Sequence, residues 1–148
     1  MSVPVATDVL WPVQAAFYAR LTADEQLADL LGSTEAFPGV YDEVLKGAPY
    51  PHIVHGQAIE TPRNAHGRFG SEVLLTEHVW TRDVPGARGF KKGLAIVARL
   101  RALFDHQPLT VEGHVVVSVR LEQIQTLRDP NPEIRHLPVS FRITTEQE

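Results

Sequence analysis

The tightest constraint on this chain is the order in which its hydrophobic spacing switches between helical and strand periods. From Gly89 to Phe104 the apolar residues Phe90, Leu94, Val97, Leu100, Leu103 and Phe104 recur at helical spacing, which leaves Lys91, Lys92, Arg99 and Arg101 for solvent. After Pro108 the pattern becomes that of strands. Val115-Val116-Val117-Ser118-Val119-Arg120-Leu121 is rich in β-branched residues, and Val139-Ser140-Phe141-Arg142-Ile143-Thr144 alternates at period two. Asp129-Pro130-Asn131-Pro132 joins the two.

The first half passes through the same two periods. Asp8 can cap a helix starting near Val9, and Pro12 is tolerated in its first turn, where a missing N–H would have no intrahelical partner anyway. Leu10, Val13, Phe17 and Leu21 form an apolar stripe. Thr22 followed by Glu25 has the pattern of a capping box, and Leu27, Leu30 and Leu31 supply an apolar face before Gly32 ends the helix. Residues 9 to 31 therefore read as two abutting helices or one bent helix. Val40-Tyr41-Asp42-Glu43-Val44 reads as a short strand and Lys46-Gly47-Ala48-Pro49 as a turn, followed by longer strands over residues 51 to 60 and 71 to 81. In the last of these, Val73, Leu75 and Val79 share one face and Leu74, Thr76, His78 and Trp80 the other, as expected for a strand internal to a sheet. Between these strands, Thr61 to Gly70 is polar, broken by Pro and Gly, and longer than the roughly two to five residues of a tight hairpin, which predicts a mobile projecting loop.

Helices set apart from runs of strands predict an α+β fold, in which a mainly antiparallel mixed sheet packs against a long helix and a helical N-terminal segment. With 148 residues and no internal repeat or dividing linker, positions 1–148 are expected to form a single domain. Hydrophobic residues at 43% and charged residues at 22% fit a water-soluble globule. The formal charge of -4 provides no net basic field to draw a phosphate backbone. Without cysteine there are no disulfides, thiolate ligands or thiol nucleophiles. The N-terminal stretch lacks the basic region and apolar run of a signal peptide, and no segment has the roughly 18 apolar residues of a bilayer span, so residence in a cytoplasm is the expectation.

The residues that could carry chemistry do not converge on paper. His52 and His55 are three apart in a strand and so point to opposite faces, whereas a metal pair on a strand would be separated by two. Glu77 and His78 are adjacent and face opposite ways, so a partly solvated sheet face is the expected setting for both. No serine sits in a nucleophile elbow, and Gly67-Arg68-Phe69-Gly70 and Gly86-Ala87-Arg88-Gly89 lack the spacing of phosphate-binding loops. Arg82, Arg88, Lys91 and Lys92 gather between a strand end and a helix start, where with Phe90 they could contact a phosphate chain or an acidic protein surface, or simply solvate the first turn of the helix, whose dipole cations oppose. No cofactor or metal is expected.

Several segments, taken in order, resemble the tail terminator family of long-tailed bacteriophages, also called tail completion or tail-to-head joining proteins. They are Leu21 to Gly32, Val40-Tyr41-Asp42, Gly47 to Val54, Gly70-Ser71-Glu72-Val73, His78 to Arg82, the helix after Gly89, and Thr126-Leu127-Arg128-Asp129-Pro130. The resemblance implies a non-enzymatic virion protein, assembled in the bacterial host cytoplasm, that forms a typically hexameric ring at the head-proximal end of the tail. It also implies a tail tube protein and a head connector or neck protein as partners, with DNA passing through the lumen without sequence-specific binding and no membrane. On this reading Arg63, Asn64, His66, Arg68 and Phe69 of the loop, together with Arg82, Arg88, Lys91 and Lys92, are the candidate contacts with other copies or partners. The alternatives are another head–tail connector or neck protein, or a small hydrolase or ligand-binding domain that uses His52, His55 or His78 in a pocket.

Overall fold

Asp8 starts the first helix as expected: its carboxylate accepts from the backbone N–H of Leu10 at 3.0 Å and of Trp11 at 3.2 Å. In this computed structural model, which describes residues 3–148, the helix α1 spans Leu10–Ala23 and is followed at once by α2, Glu25–Leu31. The cap between them is Asp24 and not Thr22. Asp24 accepts from Leu27 N–H at 2.9 Å, while the Thr22 hydroxyl donates back to the Tyr18 carbonyl at 2.8 Å, inside α1. Gly32 closes α2 at φ 65°, a left-handed conformation open to glycine at little cost.

The strands are β1 (Val40–Tyr41), β2 (His52–Pro62), β3 (Gly70–Arg82), β4 (His114–Ile124), β5 (Leu127–Arg128) and β6 (Ile134–Gln147), with α3 (Lys91–Phe104) between β3 and β4. They form one sheet in the order β1-β2-β3-β6-β4, with β5 also paired to β6. All pairings are antiparallel except β1 with β2, so the mixed, mainly antiparallel α+β architecture is as expected. β3 is internal, as its two bulky faces indicated. β1 stops at Tyr41, short of the expected Val44. In the helical layer α1 and α3 are equal in length, at 14 residues each.

Strand alternation sorts side chains between two unlike faces. On one face Ile53, Val73, Leu75, Val79, Leu137, Val139, Phe141 and Ile143 are buried beneath Phe17, Leu27, Ile96, Leu100 and Phe104 of the helices. Phe17 stacks on Phe104 with centroids 4.0 Å apart, and both tilt against Phe141. Truncating any of these three rings would cost about 3–5 kcal/mol. In α3 the buried stripe includes Ile96, whereas Leu94, expected inside, is 44% exposed. The opposite face of the sheet carries no helix among the described residues.

The segment from Thr61 to Gly70 is not an open loop. Arg63 N–H donates to the Gly70 carbonyl, and Ala65 and Arg68 exchange both backbone hydrogen bonds, so the β2–β3 hairpin continues to a tight turn at His66-Gly67. Gly67 provides the positive φ of 77° that such a turn requires.

Candidate functional site

The nine residues expected to form a contact surface fall into two separate groups. Arg63, Asn64, His66, Arg68 and Phe69 lie at the hairpin tip, where Arg63 pairs with Glu72 at 3.3 Å, Arg68 with Glu146 at 2.9 Å, and Asn64 Oδ1 accepts from Gly70 N–H at 3.2 Å. Arg82, Arg88, Lys91 and Lys92 lie at the other end of β3. That strand has 13 residues, so roughly 40 Å separates the groups at the usual rise per strand residue. Arg82 pairs with Glu133 at 3.3 Å and lies over the Tyr50 ring; Arg88, Lys91 and Lys92 are exposed around the start of α3. The helix has neither an acidic residue in its first turn nor a side-chain cap. Asp83 supplies nearby negative charge, but its carboxylate is engaged by Arg135 and by the Gly89 N–H, contacts that hold its pKa below the usual carboxylate range.

The histidines and Glu77 are arranged differently from the sequence expectation. His52 and His55 do face opposite sides of β2, and both are buried. Glu77, expected on a partly solvated face, is 0% exposed and meets His55 across the β2–β3 ladder, with His55 Nδ1 at 2.8 Å from both carboxylate oxygens. The carboxylate–imidazole pair thus forms across two strands and not between the sequence neighbours Glu77 and His78. One signal was available: Glu77 falls in the alternating row of Val73, Leu75 and Val79, so its position on the buried face could be read directly.

Of the pair, His55 lines a cleft of about 560 Å³ between α1, β1 and β2, together with Trp11, Tyr18, Pro38, Val40, Leu45, Asp42 and Glu43, and Glu77 lies buried behind it. The Tyr18 ring meets the His55 imidazole edge-on at 6.0 Å. Burial works against a charge on either partner. For His55 the hydrogen bond and charge of Glu77, with the charge of Asp42, outweigh that penalty and raise its pKa; for Glu77 burial prevails and its pKa also rises. The buried pair therefore holds on to a proton. If that proton makes the ion pair, or if it sits on Glu77 and bonds to Nδ1, the other imidazole nitrogen carries N–H. That nitrogen, Nε2, is buried and has no partner among the described residues. A carboxylate-oriented imidazole beside a cleft can move a proton or donate a hydrogen bond. Among the described residues the lining includes no Ser, Thr or Cys as nucleophile.

On the open face a second cluster forms. His136 stacks on Trp80 with centroids 3.9 Å apart and lies 2.6 Å from His78, Nε2 to Nδ1. Burial lowers the pKa of His52, His78 and His136, and the charge of His78 lowers His136 further. Among the described residues no three His, Cys, Asp or Glu side chains are placed to hold a metal ion, and no helix is long and apolar enough to cross a membrane.

The fold and sequence have recognisable counterparts. A chain from the virion of a native gene transfer agent particle superposes with a TM-score of 0.82 over 95% of this chain and 99% of its own, at 22% identity, which establishes a shared fold. The tail completion protein gp17 of Bacillus phage SPP1 is 25% identical over 132 residues, or 89% of this chain and 90% of that protein. Residues 15–146 match the family described as tail completion protein gp17, and the chain belongs to that family.

Proposed function

We propose that this protein closes the head-proximal end of a phage-type tail as a ring of its own copies, typically six, and joins it to the head. Family membership carries the structural role in the virion tail; the ring and its neighbours are our reading. In that reading the whole chain acts as one unit, the ring seats on the tail tube protein and presents a surface to a head connector or neck protein, and DNA passes through without sequence-specific contacts. The hairpin-tip residues Arg63, Asn64, His66, Arg68 and Phe69 and the basic group Arg82, Arg88, Lys91 and Lys92 touch other copies or partners. The role is structural, with no enzymatic step and no cofactor.

The supporting observation is that the two edges of the sheet are both partly open and unlike each other. β2 is covered on its outer side by β1 only at Ile53 and Val54. At the opposite edge, the outer side of β4 is capped at Val119 and Leu121 by His106 N–H and the Asp105 carboxylate, while Val115 and Val117 remain 52% and 58% exposed. Open apolar strand edges invite pairing with another chain, and a cyclic ring needs two different surfaces that meet head to tail. Electron microscopy of the protein mixed with purified tail tubes tests the proposal. Particles bound at one tube end support it, and bare tubes at saturating protein refute it.

The His55 cleft favours a second reading, a ligand-binding domain, because a perturbed titratable pair beside a concave apolar surface is the usual form of a small-molecule site. Its test is turnover or small-ligand binding by the purified chain that is abolished by His55→Gln.

A further inference from the structure

The cleft and the short strand β5 sit at opposite edges of the sheet and at neighbouring levels. One row of register partners runs His52, Trp80, His136, Leu127 from β2 to β5, and β1 borders the cleft one position away, with Val40 beside Ile53. At the cleft edge the surface is apolar with an acidic mouth: Trp11 and Leu45 are 64% and 50% exposed, and Asp42 and Glu43 are exposed without an ion pair among the described residues. At the β5 edge the surface is apolar with basic flanks. Leu127 is 41% exposed, and Arg128, exposed beside it, has no ion pair among the described residues and reaches over the Phe90 ring that precedes Lys91 and Lys92.

We propose that the cleft between α1 and β1 is the socket of the interface between copies of this chain, and that it receives the β5 edge, Leu127-Arg128, of the next copy. This rests on the ring reading and names its contact. Leu127 enters the apolar groove beside Trp11 and Leu45, and Arg128 meets Asp42 and Glu43. Apolar surface is thereby covered on both copies and the unpaired charges of the two edges meet, which is the complementarity that selects one partner surface over another. The arrangement is head to tail, with unlike surfaces at opposite edges of one sheet, as ring closure requires.

Two measurements test the contact on the full-length chain. The double reversal Asp42→Lys with Glu43→Lys, and separately Arg128→Glu, should each weaken self-association by about a hundredfold in light scattering, since like charges facing across an interface are strongly unfavourable. Mixing the two reversed proteins should restore mixed oligomers. Because the chain has no cysteine, Leu45→Cys combined with Leu127→Cys should give oxidised products linked from copy to copy, and Leu45→Cys with Val117→Cys should not. Assembly that is indifferent to both reversals, with no covalent products from the Leu45 and Leu127 pair, overturns this contact while leaving the ring intact. A native chain that stays monomeric even on tail tubes overturns the ring and the contact together.

Discussion

Glu77 and His78 are consecutive residues of β3, and the fold gives them opposite fates. Glu77 points under the helices, fully buried against His55, in a pair that retains a proton. His78 points to the face without helices, half-buried against His136, and burial there makes its protonation harder. A carboxylate partner reverses the effect of burial on an imidazole, and a second imidazole does not. One step along β3 thus changes the face a side chain meets, and the partner found there decides whether a histidine favours or resists its proton.

Breaking the buried pair should have the largest effect. Glu77→Ala strands His55 in the core without its carboxylate and should cost about 3–5 kcal/mol in urea unfolding, whereas His55→Leu combined with Glu77→Leu should be close to neutral. A cost for Glu77→Ala below about 1 kcal/mol would place the pair in solvent. Gly56→Ala comes next. A Cβ at Gly56 would collide with the His78 ring and lie 2.6 Å from the Thr76 carbonyl, so strand β2 must shift, at about 1–3 kcal/mol.

The two faces should also tilt stability with pH in opposite directions. His55, raised when folded, contributes stability below its unfolded value of 6.5, and that contribution is lost as pH rises through the raised folded value. His52, His78 and His136, lowered when folded, contribute above 6.5 and lose the contribution as pH falls through their lowered values. Unfolding free energy measured across this range should fall on both sides. His55→Gln with Glu77→Gln should flatten the alkaline limb, to which the raised Glu77 also contributes, and His78→Gln with His136→Gln should weaken the acid limb, leaving the part due to His52. The smallest effect belongs to the hairpin tip: Arg68→Ala removes an exposed pair with Glu146 and should change stability by less than about 1 kcal/mol at any of these pH values. A loss of assembly in that variant would then report on contact and not on folding.

The elements with a strong period were legible in the chain. Alternation at 139–144 and 71–81 and the apolar stripe of 89–104 are what buried strands and a helix require, and β6, β3 and α3 form there. Two misreadings share a cause, which is that composition is local and hydrogen bonding is not. Pro62, Gly67 and Gly70 suggest an open loop, but the two backbone bonds between Ala65 and Arg68 make a hairpin tip. Thr22 and Asp24 are both good caps by residue type, and the break between α1 and α2 selects Asp24. Within the site, the burial of Glu77 was legible from its row and its partner was not. The register that opposes it to His55 depends on the shift between His55 and Ala58, which residue types do not announce.

In the proposed reading this member of the tail completion family works as an assembly of its own copies. The mass of the native chain, measured by light scattering alone and after capture on purified tail tubes, tests it most directly. The expected mass is a multiple of the 16.4 kDa protomer by two or more, held at one end of the tube. A 16.4 kDa species at every concentration, with none captured by tubes, would contradict it.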